Sequence, residues 1–422
     1  MNERLLQYIW QFQYFNRTVL QTTTGAALQI LHPGQYNTNQ GPDFLEAKIK
    51  IDNTLWVGNI ELHIHSSDWN KHRHQSDANY NSVILHVVWQ DDLFQLSPAI
   101  PVLVLQDRIA KPLLRQYDEW MQQDAFVPCS GSVGNVKELV WVAWKERLLV
   151  ERLQRKSQYV LQLFQLNNHH WEETFWQILA RNFGVQINAE AFENIAKTLP
   201  VVILAKHKNQ ITTLEALLLG QAGLLEGDFN EAYPQLLQRE YRFHQYKYKL
   251  RKIAEPVHFL RMRPATFPTV RLAQLAMLIH HSMHLFSALK ATSSVKEAAP
   301  LLNVTANDYW HYHYVLNESA AYKKKKLGSG MVNSIIINTI APVLFAYGHY
   351  HKDQSIKDKA LKWLEETTAE KNNITRGWQQ LGIANSHAYD SQSLIELKTQ
   401  YCDKKKCLDC AAGTALLNTA VK

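Results

Sequence analysis

Cysteine is scarce: four residues in a chain of 422 do not make the disulfide framework of a secreted scaffold. The first stretch, MNERLLQYIWQFQYFN, lacks a basic region leading into an apolar core and small residues, so no signal peptide is expected there. Long uninterrupted apolar runs are also missing. The strongest, Met331–Tyr347, contains Asn333, Asn338, Thr339 and Pro342 and reads as a buried helix rather than a membrane span. No internal repeat of fixed period is present. Together these absences make the cytoplasm the expected compartment. An apolar content of 46% against 20% charged residues excludes a disordered chain. The net charge of +7 and pI near 9.0 favour an anionic partner, and nucleic acid is the expected one.

What is present begins with a hairpin. Asp43–Ile51 and Leu55–His65 read as two strand arms joined at Asp52-Asn53-Thr54. Alternation puts Ile60, Leu62 and Ile64 on one face of the second arm and Glu61, His63 and His65 on the other. A two-residue loop pairs Ile51 with Thr54 and sends Asp43 to the face away from Glu61. A three-residue loop, or a bulge at Gly58, restores the parity and sets Asp43 opposite His63. The second register is the expectation, because it gathers Asp43, Glu61 and His63 into a group fit for a divalent cation. Two carboxylates suit Mg²⁺ or Mn²⁺, and the imidazole shifts the preference toward Mn²⁺ or Zn²⁺.

Around the hairpin, residues 3–15 have helical spacing, Thr18–Thr23 and Ala27–Leu31 are strand-like, and Ser67 or Asp68 begins a short helix. Strands follow at Val83–Trp89 and Val102–Leu105. The segment VPCSGSVGN, Val127–Asn135, marks a boundary. Beyond it the pattern is helical: a stripe of Trp171, Phe175, Ile178, Leu179 and Phe183 stops at Gly184, and Asn188 caps a helix carrying Phe192, Ile195 and Leu199. Further helices fit Leu214–Leu225, Ala232–Tyr246, Val270–Leu289, Met331–Tyr347 and Lys357–Thr368. The expected fold class is α+β, with a sheet domain over 1–128, an all-α domain over 129–400, and a cysteine-rich tail over 401–422 packing back on the chain.

Pro42-Asp43 opening one strand and Glu61-Leu62-His63 on the next resemble the PD-(D/E)XK nuclease-like superfamily, with His63 standing in the lysine position. The resemblance implies an α-β-β-β-α-β core and metal-dependent hydrolysis of nucleic acid phosphodiesters. It also implies Asp43 and Glu61 as metal ligands and catalytic groups, and His63 as a ligand or water-positioning group. Two rivals are a catalytically degenerate nucleic-acid-binding module and a zinc-dependent hydrolase of a small substrate. The longer pattern, with SDWNKH, YNSVILHVVW and a cysteine-rich end, resembles a bacterial family that carries a domain of unknown function.

Other groups read more simply. His72 and His74 sit among Lys71, Arg73 and Gln75 as in a solvated turn, and His86 lies in the middle of an apolar strand as a core histidine. Arg261, Arg263 and Arg271 suit a phosphate but read first as packing residues, and Lys323–Lys326 as a solvated loop. Cys402, Cys407 and Cys410, spaced C-x4-C-x2-C, join Cys129 as the chain's whole complement of thiols. Four thiolates complete a zinc site or hold an iron–sulfur cluster.

Overall fold

The computed structural model describes residues 1–93, 100–253, 255–260, 262–282 and 284–419; Arg261 lies outside them. The fold is α+β, a mixed sheet with few helices followed by a largely helical region. Two compact units form, one from Met1–Trp144 with Leu397–Lys422, the other from Lys145–Glu396.

The first unit opens with α1 (Glu3–Phe12), whose start is capped by the Asn2 side chain accepting from the Leu5 amide at 2.9 Å. Leu5, Leu6, Ile9 and Trp10 are fully buried, leaving Glu3 and Gln7, one turn apart, on another side of the helix. The strands are β1 (Leu28–His32), β2 (Gln35–Tyr36), β3 (Phe44–Ile51), β4 (Thr54–His65), β5 (Val83–Gln90) and β6 (Val102–Val104). Their order is β1-β3-β4-β5-β6, with β2 also paired to β3. β1, β3 and β4 are antiparallel neighbours, whereas β5 runs parallel to both β4 and β6. Val83–Val88 is buried at every position, as a strand covered on both faces must be. Between β4 and β5 lie the short helix α2 (Asp68–Lys71) and two single turns, His74–Ser76 and Ala78–Tyr80.

The hairpin register differs from the expected one. Ile51 pairs with Thr54, so the loop has two residues, and Asp52 takes the left-handed conformation at φ 49°. Parity is restored on β3 instead: Phe44 pairs with Ile60 but Ala47 with Gly58, leaving Leu45 and Glu46 against Asn59. Glu46 is the left-handed bulge residue, φ 58°, and its freed amide is satisfied by Asn59 Oδ1 at 3.2 Å. Gly58 serves another purpose. A Cβ there would stand 2.5 Å from Ile84 Cγ2 and 2.6 Å from Ser82 O, so only glycine lets the start of β5 approach. Asp43 therefore reaches the same face as Glu61 but lies beside it, not opposite His63.

In the second unit the core is built by helices such as Trp171–Phe183, Ile211–Gln221, Pro268–His281 and Ala341–Tyr350. The apolar span Ser329–Tyr350 is long and apolar enough to cross a membrane, yet 67% of its most apolar window is buried within the protein. A π-helical stretch, Ile336–Ile340, interrupts it. Asn188 does precede a helix, but its side chain makes no cap; it bonds the His258 backbone instead. Pro268–His281 and Leu285–Ala291 are separate helices where one was expected. Arg271 is buried on Gln274, and Lys325 is buried with its ammonium over the Tyr314 ring at 3.7 Å, so neither is a solvated phosphate contact.

Glu215 is fully buried in this core and accepts from Tyr233 at 2.8 Å and Trp310 at 3.0 Å, both on Oε2, leaving Oε1 unpartnered. Burial pushes its carboxyl up to about 7, the two hydrogen bonds only partly opposing it. The folded state thus keeps a proton that the unfolded chain has lost by then. Its contribution to stability is complete below pH 4.5 and disappears as pH rises to about 7, a loss of roughly 3 kcal/mol. Glu215→Gln should flatten that part of the pH–stability curve in denaturant titrations; an unchanged slope would show that Glu215 does not titrate there.

Candidate metal centre

Strand alternation brings Glu61 and His63 to one face of β4, where both are buried at 5% and 1% exposure. The Glu61 carboxylate is held from one side only: the Asp43 amide donates to Oε2 at 3.0 Å. Oε1 points the other way, 3.6 Å from His63 Nε2 and 3.4 Å from His74 Nε2. His63 Nε2 in turn lies 3.1 Å from His72 Nδ1. The ligand atoms of His63, His72 and His74 all fall within 4.8 Å of one another. A tetrahedral ion with Zn–N bonds of about 2.1 Å spaces its ligand atoms roughly 3.4 Å apart. The Glu61–His74, Glu61–His63 and His63–His72 pairs are already near that spacing.

The tautomers fit a cation as well. His63 Nδ1 is 2.8 Å from His86 Nε2; with the proton on His63 Nδ1 and His86 Nε2 accepting it, the Nε2 lone pair of His63 is left for a cation. His74 is held by stacking on Tyr80, with ring centroids 3.7 Å apart, and by the edge of buried Trp69. Its Nε2 is buried without a hydrogen-bond partner, which is costly unless something else binds it. Burial and the neighbouring histidines push His63 down to about 2, and burial and His74 push His86 down to about 3, so these two imidazoles are neutral. Burial raises Asp43 to about 7, and burial together with the Asp43 charge raises Glu61 to about 9. Acids crowded this way favour a nearby cation.

Asp43 stands behind Glu61 rather than at the centre. Its Oδ1 accepts from Gln7 Nε2 at 2.7 Å and its Oδ2 from the Leu62 amide at 3.0 Å, so both oxygens are occupied. Glu3 Oε1, on α1, comes within 4.0 Å of His63 Nε2. Three donors thus escaped the reading of the chain. His72 and His74 lie on a short helix end and a single turn, where no periodicity flags a face. Glu3 and Gln7 are an i, i+4 polar pair on one side of an amphipathic helix, a signal that was available. His86, expected in the core, is there, and also orients His63. His65 stands two residues beyond the centre on β4, and its Nδ1 is unpartnered.

The chain belongs to the family described as "Protein of unknown function (DUF2851)", whose model matches residues 3–373. No curated protein and no solved structure matches it.

Proposed function

We propose that the N-terminal unit is a metal-dependent phosphodiester hydrolase acting on nucleic acid, with its cation held by His63, His72, His74 and Glu61. The gathering of the three histidine nitrogens within 4.8 Å of one another, with Glu61 Oε1 3.4 Å from His74 and 3.6 Å from His63, carries the reading. Three nitrogens and one carboxylate oxygen suit Zn²⁺ or Mn²⁺ better than Mg²⁺, which prefers an oxygen shell. A cation there supplies Lewis acidity, lowering the pKa of a bound water and neutralising charge on a phosphate oxygen. The remaining work belongs to the chain. Asp43, clamped by Gln7 and the Leu62 amide, presents its own N–H to Glu61 Oε2 and keeps Oε1 turned to the histidines. His86 orients His63. Glu3, the half-exposed carboxylate at the rim, is the group placed to take a proton from the attacking water.

A nucleic acid substrate is supported by the net charge of +7. It is supported too by Pro42-Asp43 and Glu61 standing in the two PD-(D/E)XK positions on a helix, antiparallel hairpin, helix, parallel strand order. Binding without cleavage is a second reading, favoured by the two occupied oxygens of Asp43. The test is a screen of Mn²⁺, Zn²⁺ and Mg²⁺ with single- and double-stranded DNA and RNA, alongside His74→Ala. Cleavage with Mn²⁺ or Zn²⁺ that His74→Ala loses supports the hydrolase. Nucleic acid bound but never cut, with any metal, leaves the binding module; neither binding nor cleavage removes both readings.

A further inference from the structure

The four cysteines come from distant parts of the chain and all belong to the same compact unit. Cys129, Cys407 and Cys410 are buried, Cys402 is partly so, and none is in a disulfide. Local structure brings the segments that carry them together, the sulfurs standing farther apart than the His63, His72 and His74 nitrogens. The Val127–Ser132 loop turns tightly, with the Ser132 and Val133 amides both donating to Cys129 O, at 3.0 and 2.9 Å. Cys407–Asp409 is a single 3₁₀ turn, and Cys410 directly precedes the C-terminal helix Ala411–Thr419. That helix packs on the turn Val133–Asn135 just after Cys129, and on α3 (Lys111–Gln122). Gly413 lets it come close: a Cβ at that position would overlap Cys407 O.

We infer that Cys129, Cys402, Cys407 and Cys410 together bind one thiophilic metal centre, a zinc ion or an iron–sulfur cluster, which fastens the C-terminal segment to the sheet unit and thereby steadies α1. The thiols are near enough to feel one another. Apart from burial, the largest influences raising Cys402 are Cys410, Cys129 and Cys407, and those raising Cys407 are Cys129 and Cys410. Three buried thiols and a fourth partly buried, none of them in a disulfide, make a poor cluster by themselves and a good one around a cation. Cys410 has help toward the thiolate: the Ala412 and Gly413 amides at the helix start and the Trp144 indole act against the upward push of burial. Lys398 and Lys405 act the same way on Cys402 and Cys407.

The link to α1 is direct. Arg4 donates to Asp409 Oδ1 at 2.6 Å, within the Cys407–Cys410 turn, and Tyr8 stands beside Thr414 of the C-terminal helix. Both residues sit on the helix that carries Glu3 and Gln7, so the thiolate centre is a positioning device and not part of the chemistry.

Because the histidine centre can also hold zinc, the test uses the full chain carrying His72→Ala and His74→Ala, purified anaerobically. One zinc per chain without colour, or iron with inorganic sulfide and visible charge-transfer absorption, is expected, and separates the two chemistries. Titration with a mercurial reagent should release that metal in step with modification of four thiols, which needs no folding-competent cysteine variant. Hydrogen exchange of the α1 amides should then quicken at least tenfold. A histidine variant that carries neither zinc nor iron, or four thiols that react at once with no metal released, would overturn the centre. Metal release with unchanged exchange in α1 would overturn its steadying role.

Discussion

Glu61→Gln removes metal-dependent hydrolysis and leaves the protein as stable as before, or more so. Metal affinity should fall by more than the ~10–100-fold that losing an outer-shell partner costs, because this change takes away the one carboxylate oxygen open to the cation. Stability is spared for two reasons. A glutamine carbonyl can still accept the Asp43 amide, now at 3.0 Å from Glu61 Oε2. Burial and the neighbouring Asp43 charge also raise the Glu61 carboxyl, so its ionised form is disfavoured in the fold and an uncharged glutamine gives up little. Asp43→Asn keeps all four donors and should lose less. Calorimetric metal binding and cleavage rates on the two variants decide it. Glu61→Gln within tenfold of wild type in both would take Glu61 out of the centre.

Gly220→Ala should be strongly destabilising to the helical unit. Helix Ile211–Gln221 crosses Ala232–Tyr248 at this glycine, and an added Cβ would lie inside the Tyr241 ring. The ring cannot step aside, since Tyr241 is 4% exposed and its hydroxyl is anchored on Gln221 Oε1 at 3.0 Å. Overpacking of this kind costs about 1–3 kcal/mol or more, and in a unit of this size each kcal/mol moves Tm by about 2–4 °C. Gly330→Ala makes the control. It lies in helix Ser329–Ile335 with open space around its Cβ, and should be neutral or gain up to about 1 kcal/mol. Circular dichroism melts that rank the two variants equally would refute the close-packing argument.

Much of this protein was readable where a period repeats. Alternation along Leu55–His65 placed Glu61 and His63 on one face, and the 3.6-residue stripe from Trp171 to Phe183 marked the helical region. The register of the hairpin was not readable. A bulge at Glu46 depends on Asn59 reaching across to its amide, a contact between strands that neither strand announces. His72 and His74 escaped for a related reason. His74 is drawn inward by Trp69, Tyr80 and His63, while His72 stays exposed and reaches His63 through a ring nitrogen. Polar neighbours in the chain made both look solvated, which holds for His72 and fails for His74, whose side chain is 10% exposed.

The sheet unit is interrupted in the chain by the whole helical unit, and this sets an order of events during synthesis. At about 5–20 residues per second, the ribosome takes some tens of seconds to make Lys145–Glu396 after the strands have emerged. Throughout that interval the nascent chain already carries Glu3, Asp43, Glu61 and the three histidines. It lacks Asp409 and Thr414, the groups that α1 meets in the finished fold. A message cut short within the helical unit therefore yields a product with every donor side chain and no brace behind its first helix. Emergence of the segment that carries Asp409 and Thr414 is the step that closes the architecture.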